Sequence, residues 1–421
     1  MPVLDRTAGH YSELEREPRE RRSDRIWSAL QRVLSAGWSG SREFRGRLES
    51  AGLSPADIRD WDDWARIPKF SKKELISFQQ EHGVEAMLSG GIGALSRVYM
   101  SPGPIFDPEG RSRDYWGWTE AFFAAGFRPG DLAQMTFSYH LTPAGLMLEE
   151  PLREIGCAVI PAGPGNTAAQ IELLTKLPVT GFVGMASYLK IIKDTAKAQG
   201  LADRLKLAVA FVAAERLPAA LRDELEKELG MRVRQGYGTA DVGCIAYECQ
   251  ELGGMHLSSR RHVEIVDPAT GAPLPVGENG EVVVTPLTED YPLIRLATGD
   301  LSRLIETPCA CGRTALKLAG ILGRVDDTAK VKGQFLYPHQ IAELMTGFPM
   351  ILRWQVLVQN PGGKDALTLR LALNRPPDSF DADRFVRAFQ DKLKLKPALS
   401  IEAPEAFEEN AAPLVDKRNF E

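Results

Sequence analysis

Residues 207–241 read LAVAFVAAERLPAALRDELEKELGMRVRQGYGTAD. An apolar run of strand length, Leu207–Ala214, leads into ALRDELEKEL, whose leucines recur at helical spacing. That helix closes on Gly230, which suits a left-handed C-terminal cap. A second run, RVRQGYG, follows at once. Strand, helix, strand with connections this short is the sequence form of a parallel pair crossed over by a helix. The pattern recurs upstream, where LAQMTF, CAVIPAG and TGFVGM each precede an amphipathic segment. The chain is therefore expected to be α/β with a helix-flanked parallel sheet. Ligands of such sheets bind beyond the carboxyl ends of the strands. Here those ends carry Ala214 and Glu215 in one case, and Tyr237, Gly238 and Asp241 in the next. A flat aromatic beside glycine can stack on a base, and a carboxylate such as Asp300, ending the later run ATGD, can accept from both ribose hydroxyls.

Outside this core, residues 1 to about 80 read as helices with short breaks. Ser54 ahead of Asp57 and Ser71 ahead of Glu74 are capping signals. Residues 256–305 have β character, with turn clusters between β-branched runs. From 325 a helix at YPHQIAELMTGF, a hairpin-like pair around NPGGKD and the helix DADRFVRAFQDKL read as a small α+β domain. The expected division is 1–324 and 325–421. With 51 basic against 56 acidic residues the net charge is −5, so no strong field draws the chain to nucleic acid or an anionic membrane. No apolar run approaches the roughly 18 residues of a spanning helix, and the N-terminus has no apolar signal core. A soluble, cytoplasmic protein is expected. Its five cysteines are too few for a disulfide framework, and Cys157 reads as core.

The remaining four cysteines lie between 244 and 311. Cys249, His256, Cys309 and Cys311 supply three thiols and an imidazole, a closed tetrahedral zinc set, with Cys244 a substitute ligand and reduced buried thiols the plainer alternative.

In order, AAERL, YGTAD, PLIRLATGD, GRVDDTAKVKG and QFLYPHQI resemble the serial motifs of adenylate-forming enzymes. GNTAAQIELL, VGMASYL and CACGRT are similar to the phenylacetate–CoA ligase family within them. The resemblance implies a large N-terminal domain with helix-flanked sheets and a small mobile α+β C-terminal domain. It implies an ATP-dependent acid–CoA ligase acting on a small carboxylic acid, an aryl or arylacetic acid by family, through an acyl-adenylate, with Mg2+ and coenzyme A. A homodimer is left open, as is an adenylating enzyme with a different acyl acceptor. By position, Ala214 and Glu215 lie against adenine, Tyr237 stacks on it beside Gly238, Asp300 holds the ribose with Arg324 nearby, and Asp241 stands for a metal-binding glutamate. Asp326 falls at the hinge. Tyr139, His140 and Met185 wall the acyl pocket. Lys417 serves the first half-reaction, with Lys396 and Arg418 as alternatives. Some family members carry the same cysteine and histidine pattern, which favours structural zinc.

One stretch departs from the family. YMSPGPIFDPEG, residues 99–110, stands where a phosphate loop rich in serine, threonine and glycine belongs. It keeps Ser101 and Gly103 but has three prolines, which donate no N–H, and no lysine. Asp107 and Glu109 are expected to repel polyphosphate. A working ligase then leans on Ser101, the remaining amides and Arg111 or Arg113; otherwise the chain binds an adenylate or acyl-CoA without making it.

Overall fold

The computed structural model describes residues 5–101, 104–325, 329–331, 334–336, 338–361, 365–408 and 411–418. The chain divides into two compact units, one of residues 1–298 and 303–321, the other of 299–302 and 322–421.

In the first unit, five parallel strands form the heart of a nine-stranded sheet among the described residues. From the edge they run Ala158–Pro161, Leu132–Met135, Gly181–Gly184, Val209–Val212 and Arg232–Thr239. Their register is continuous: Ala133 pairs with Val159 and Gly181, and Val209 with Gly181 and Arg232. Four short strands continue the sheet, ordered 243–247, 255–257, 317–318 and 304–305, each joining antiparallel to the one before it. The helices of the crossovers supply the two apolar cores. One packs Phe122, Phe127, Met147 and Leu152 against Phe211, and the other packs Ile171, Leu189 and Leu225 against Phe182 and Val212. Burying one such side chain contributes about 1.5–3 kcal/mol, so these helix faces fix the sheet. The helix Ala219–Leu229 ends at Gly230 with φ 63°, and the helix Lys72–His82 opens with the Ser71–Glu74 capping box.

A smaller sheet joins the strands Arg261–Val266, Gly280–Pro286 and Leu296–Ser302, with Phe70–Ser71 on its edge. In the second unit the strands 398–401, 366–373, 351–359 and 414–416 form a sheet in that order, with helices Pro338–Thr346 and Ala382–Leu393 and a core that includes Phe385, Phe389, Leu369 and Val356. The last helix is capped by Asp381, whose side chain accepts from Arg384 N. Among the described residues no helix is long and apolar enough to cross a membrane.

One local expectation changes, and one helix is shorter than its sequence pattern. The Ser54–Asp57 box caps a single 3-10 turn, Pro55–Asp57, rather than a longer helix. The segment DYWGWTEAFFAAG is helical only over Thr119–Ala125. Asp114 (φ 47°) and Gly117 (φ 72°) are left-handed, and the Asp114 carboxylate accepts from the amides of Trp118 and Thr119 instead.

Candidate active site

Because the five strands are parallel, their carboxyl ends share one edge of the sheet. Along it lie, in spatial order, Tyr237 and Gly238 on the innermost strand, Ala214 and Glu215 after Val212, Met185 after Gly184, Tyr139 and His140 after Met135, and the glycine turn 163–166 after Pro161. The strand topology thus brings the expected base-contacting and acyl-contacting residues to one side.

Each end is built differently. At Tyr237 the strand leaves its parallel neighbour, bulges, and pairs antiparallel with 243–247. The Tyr237 hydroxyl donates to Thr298 Oγ1 at 3.2 Å. A side chain at Gly238 would come within 2.3 Å of the Gly243 carbonyl and 2.6 Å of Trp118, so this turn closes only with glycine. Ala214 has φ 69°, a left-handed conformation that costs a non-glycine residue roughly 1–2 kcal/mol. Strain of this kind persists where surrounding structure over-determines it, as active sites do. The Glu215 carboxylate accepts from the Ser187 amide at 2.5 Å and the Ser187 hydroxyl at 3.0 Å. It therefore closes the open N-terminus of the helix Ala186–Ala198, directly beside Met185.

Met185 and His140 are exposed; Tyr139 is half-buried. The Tyr139 hydroxyl donates to Glu149 Oε2 at 2.6 Å, and burial followed by that bond raises its pKa. Its polar end is therefore engaged, leaving the ring as the contact surface. Leu141 beside it is 54% exposed with φ 61°.

The stretch 99–110 is a β-hairpin. Arg97–Ser101 pairs antiparallel with Ile105–Glu109, Tyr99 opposite Asp107 and Arg97 opposite Glu109. The two-residue period turns both acids inward, away from water. Glu109 accepts from Arg97 Nη1 and from the Tyr99 hydroxyl, each at 2.6 Å. Asp107 accepts from the Ser101 hydroxyl. Glu109, buried and fully partnered, therefore does not present the repulsive charge expected of it. Burial first, and then the charge of Asp241, push the Asp107 pKa up to about 7. Arg113 pairs with Glu154, and Arg111 donates to the carbonyls of Ala94 and Gly93.

Asp241, in the turn after the innermost strand, is 4% exposed. Lys72 Nζ lies 2.8 Å from its Oδ2 as an ion pair, but neither Asp241 oxygen has a donor in hydrogen-bond geometry. A buried carboxylate with one oxygen unpartnered and the other facing only an ammonium on a partly exposed stem fits the hard, oxygen-seeking Mg2+. Lys72 comes from the first turn of the helix Lys72–His82, and no motif spacing marks it as the partner of Asp241.

In the second unit, Asp300 and Arg324 form an ion pair at 2.8 Å on paired strands. Lys417 follows the strand Leu414–Asp416; its amide donates to Val358 O, and its side chain is exposed, with no ion pair among the described residues. Arg418 is held by Asp416 and Asp365, which removes its guanidinium from contention, while Lys396 is exposed. Asp326 and Gly103 lie outside the described residues.

Donor atoms of Cys249, His256, Cys309 and Cys311 all lie within 4.8 Å of one another. Cys249 Sγ is 3.7 Å from Cys309 Sγ, and Cys311 Sγ is 3.4 Å from His256 Nε2. With Zn–S near 2.3 Å and Zn–N near 2.0–2.1 Å, a tetrahedron has edges of about 3.8 and about 3.5 Å, so the donor set fits zinc. Cys311 is drawn well toward thiolate, first by the Cys249 thiol and also by His256; sharing that proton and burial hold Cys249 as the thiol. Cys244 is buried elsewhere, beside Arg261, and takes no part.

Residues 139–286 match the family model described as AMP-binding enzyme. Over that stretch the chain is similar to AMP-binding enzymes. It is 29% identical over 378 residues to a phenylacetate–coenzyme A ligase of Thermus thermophilus, covering 86% of this chain and 84% of that one. It is 28% identical to the Escherichia coli protein of the same name, covering 82% and 80%. In fold it is similar to an open conformation of 2-hydroxyisobutyryl-CoA ligase in complex with 2-HIB-AMP and CoA, at TM-score 0.88 and 22% identity over 99% of this chain and 96% of that one.

Proposed function

We propose that the chain is an ATP-dependent acid–CoA ligase for an aryl or arylacetic acid. The row of strand ends in one AMP-binding domain carries this reading: Tyr237 and Ala214 on the nucleotide side, Met185 and Tyr139 on the acyl side. In the first half-reaction a carboxylate oxygen attacks the α-phosphorus of ATP and pyrophosphate leaves. In the second, the coenzyme A sulfur attacks the acyl carbon and AMP leaves. Tyr237 stacks on adenine, with Ala214 and Glu215 at its edge. Asp300 accepts from the ribose hydroxyls, with Arg324 holding the carboxylate in place. Lys417 donates to the phosphate where charge develops, a role that its exposed ammonium, without an ion pair among the described residues, suits. Asp241 would hold Mg2+, which neutralises phosphate charge. The half-buried Tyr139 ring and the Met185 thioether favour an aromatic guest over a polar one. The phenylacetate named in the relatives points the same way. Asp326 serves as the hinge between the domains, and zinc at the four-ligand set is structural, since no coordination position stays open.

A second reading, a protein that binds an adenylate without making it, is favoured by one observation: the Ser101 hydroxyl is already committed to Asp107. Isotope exchange between pyrophosphate and ATP separates the two. Exchange that depends on an aryl or arylacetic acid is expected. Tight AMP binding with no exchange for any acid in an aromatic and aliphatic panel selects the binder.

A further inference from the structure

The hairpin at 97–109 does more than lose donors. It puts a buried carboxylate where the family keeps hydroxyls and amides. Asp107 is 1% exposed; one oxygen takes the Ser101 hydroxyl, and Oδ1 has no partner. Asp241 is 4% exposed; its Oδ2 is held by Lys72 as an ion pair only, and its Oδ1 has no partner among the described residues. Leaving a buried polar atom unsatisfied costs about 1–3 kcal/mol, more for a charged group, and here Asp107 Oδ1 and Asp241 Oδ1 have neither a hydrogen bond nor an ion pair among the described residues.

The neighbourhood is built, not incidental. Gln79 fastens the hairpin to the helix Lys72–His82: its Oε1 accepts from Phe106 N at 2.7 Å, and its Nε2 donates to Phe106 O and to the Tyr291 hydroxyl, both at 2.9 Å. The same helix carries Lys72, 2.8 Å from Asp241 Oδ2 and with its side chain 35% exposed. Lys72 attracts Asp107 as well, and Asp241 repels it. An ammonium on an exposed four-carbon stem can swing out to water without unfolding anything.

We propose that Asp107 and Asp241 together ligate one divalent cation, with Lys72 occupying its place when the cation is absent. The hairpin then contributes to polyphosphate binding through an anionic ligand to the metal rather than through donors to the phosphate. This rests on the adenylating reading only for its use; the cation site stands on the two carboxylates.

The probe is Mn2+, titrated into nucleotide-free protein and followed by the electron paramagnetic resonance of the free ion. Wild type is expected to bind one ion; Asp107→Asn, isosteric and checked for an unchanged unfolding temperature, to bind at least tenfold more weakly; and Lys72→Ala to bind more tightly, because a competing charge is gone. An absent Mn2+ site in the wild type, or an Asp107→Asn affinity equal to wild type, overturns the proposal. Should that variant fold poorly, amide exchange on the wild type decides. Mg2+ should protect residues 105–109 and 239–243 together, and protection of the second alone removes Asp107 from the site. Exchange of pyrophosphate with ATP is a separate readout. Its failure beside intact Asp107-dependent Mn2+ binding refutes the ligase and leaves the cation site, and the converse refutes only the cation site.

Discussion

Stripping the four-ligand knuckle of metal should loosen the N-terminal arm as well as the knuckle. The Cys309–Cys311 turn is where that arm docks. His10 Nε2 lies 2.9 Å from the Cys311 carbonyl, Thr314 N donates to Glu15 O at 3.0 Å, and Glu15 forms an ion pair with Arg313 in which the side chains are 0% and 2% exposed. The Tyr247 hydroxyl donates to the same carboxylate at 3.3 Å. Metal release leaves three sulfurs without the ion that sets their spacing, so the turn carrying Arg313 is free to move. If it moves, a buried pair is broken, at about 3–5 kcal/mol. Zinc at 100 to 1,000 times its dissociation constant adds about 2.7–4.1 kcal/mol by mass action. At about 2–4 °C per kcal/mol for a domain of this order, chelation or Cys311→Ser should lower the unfolding temperature by roughly 5–16 °C. Metal analysis of protein purified without chelator should return about one zinc per chain, as a single four-ligand site requires. Limited proteolysis read by N-terminal sequencing should then find cleavage within residues 5–17 only after chelation. Protein free of zinc, or Cys311→Ser with an unchanged unfolding temperature and an intact arm, would refute this account.

Three further outcomes follow. Lys417→Ala removes an exposed side chain, so stability should stay within about 0.5 kcal/mol, while loss of one hydrogen bond to a charged group, about 1.5–3 kcal/mol, should slow adenylation roughly 10- to 150-fold; thioester formation from preformed acyl-adenylate should be nearly unchanged in single-turnover kinetics. Ala214→Gly should relieve the left-handed strain and leave chemical denaturation little changed or slightly later, whereas Ala214→Val should lower the midpoint. Burial alone would raise the Asp131 pKa, but hydrogen bonds from Arg6, Thr180 and the Arg128 amide outweigh it and hold it below the usual carboxylate value; its stabilisation is therefore present above about pH 4 and lost as pH falls through the lowered value, a loss that Asp131→Asn should remove from the acid limb of a stability profile.

The parallel sheet was legible because two signals agree within each unit of 15–25 residues: an apolar run too short for a helix, then helical spacing ended by glycine. The capping box at Ser71 was legible because its two partners are three residues apart and need nothing else. The hairpin was not. Its inner face alternates Tyr99, Ser101, Ile105, Asp107 and Glu109, and its outer face shows Val98, Met100 and Phe106 to solvent, each 38–40% exposed. Acids inside and apolar residues outside invert the pattern that marks a half-buried strand. Part of what pays for the inversion is in the hairpin, where Arg97 faces Glu109, and part lies elsewhere in the chain, where Trp116 donates to Glu109 and Gln79 holds Phe106. The second part depends on tertiary neighbours, so no local rule reaches it.

The same inversion bears on whether the departures from the family are decay. A loop drifting without function would be expected to lose donors and gain solvent-compatible residues. This one has instead acquired two carboxylates that are desolvated, at a cost that burial of a charge imposes unless it is compensated. One of them, Glu109, is compensated by Arg97 and Tyr99 and does structural work for the hairpin. The other, Asp107, is compensated at one oxygen only. A fold can remove such a deficit with a single substitution to asparagine or leucine, and here the charge of a second buried carboxylate, Asp241, adds to it, with Lys72 paired to that acid at one oxygen only. Residual cost at one locus, in a segment otherwise well packed, is the pattern of a site whose missing partner is a ligand. On the proposed cation site, the hairpin would act through an anionic ligand rather than through donors, and the Mn2+ titration of Asp107→Asn tests that substitution of chemistry against its loss.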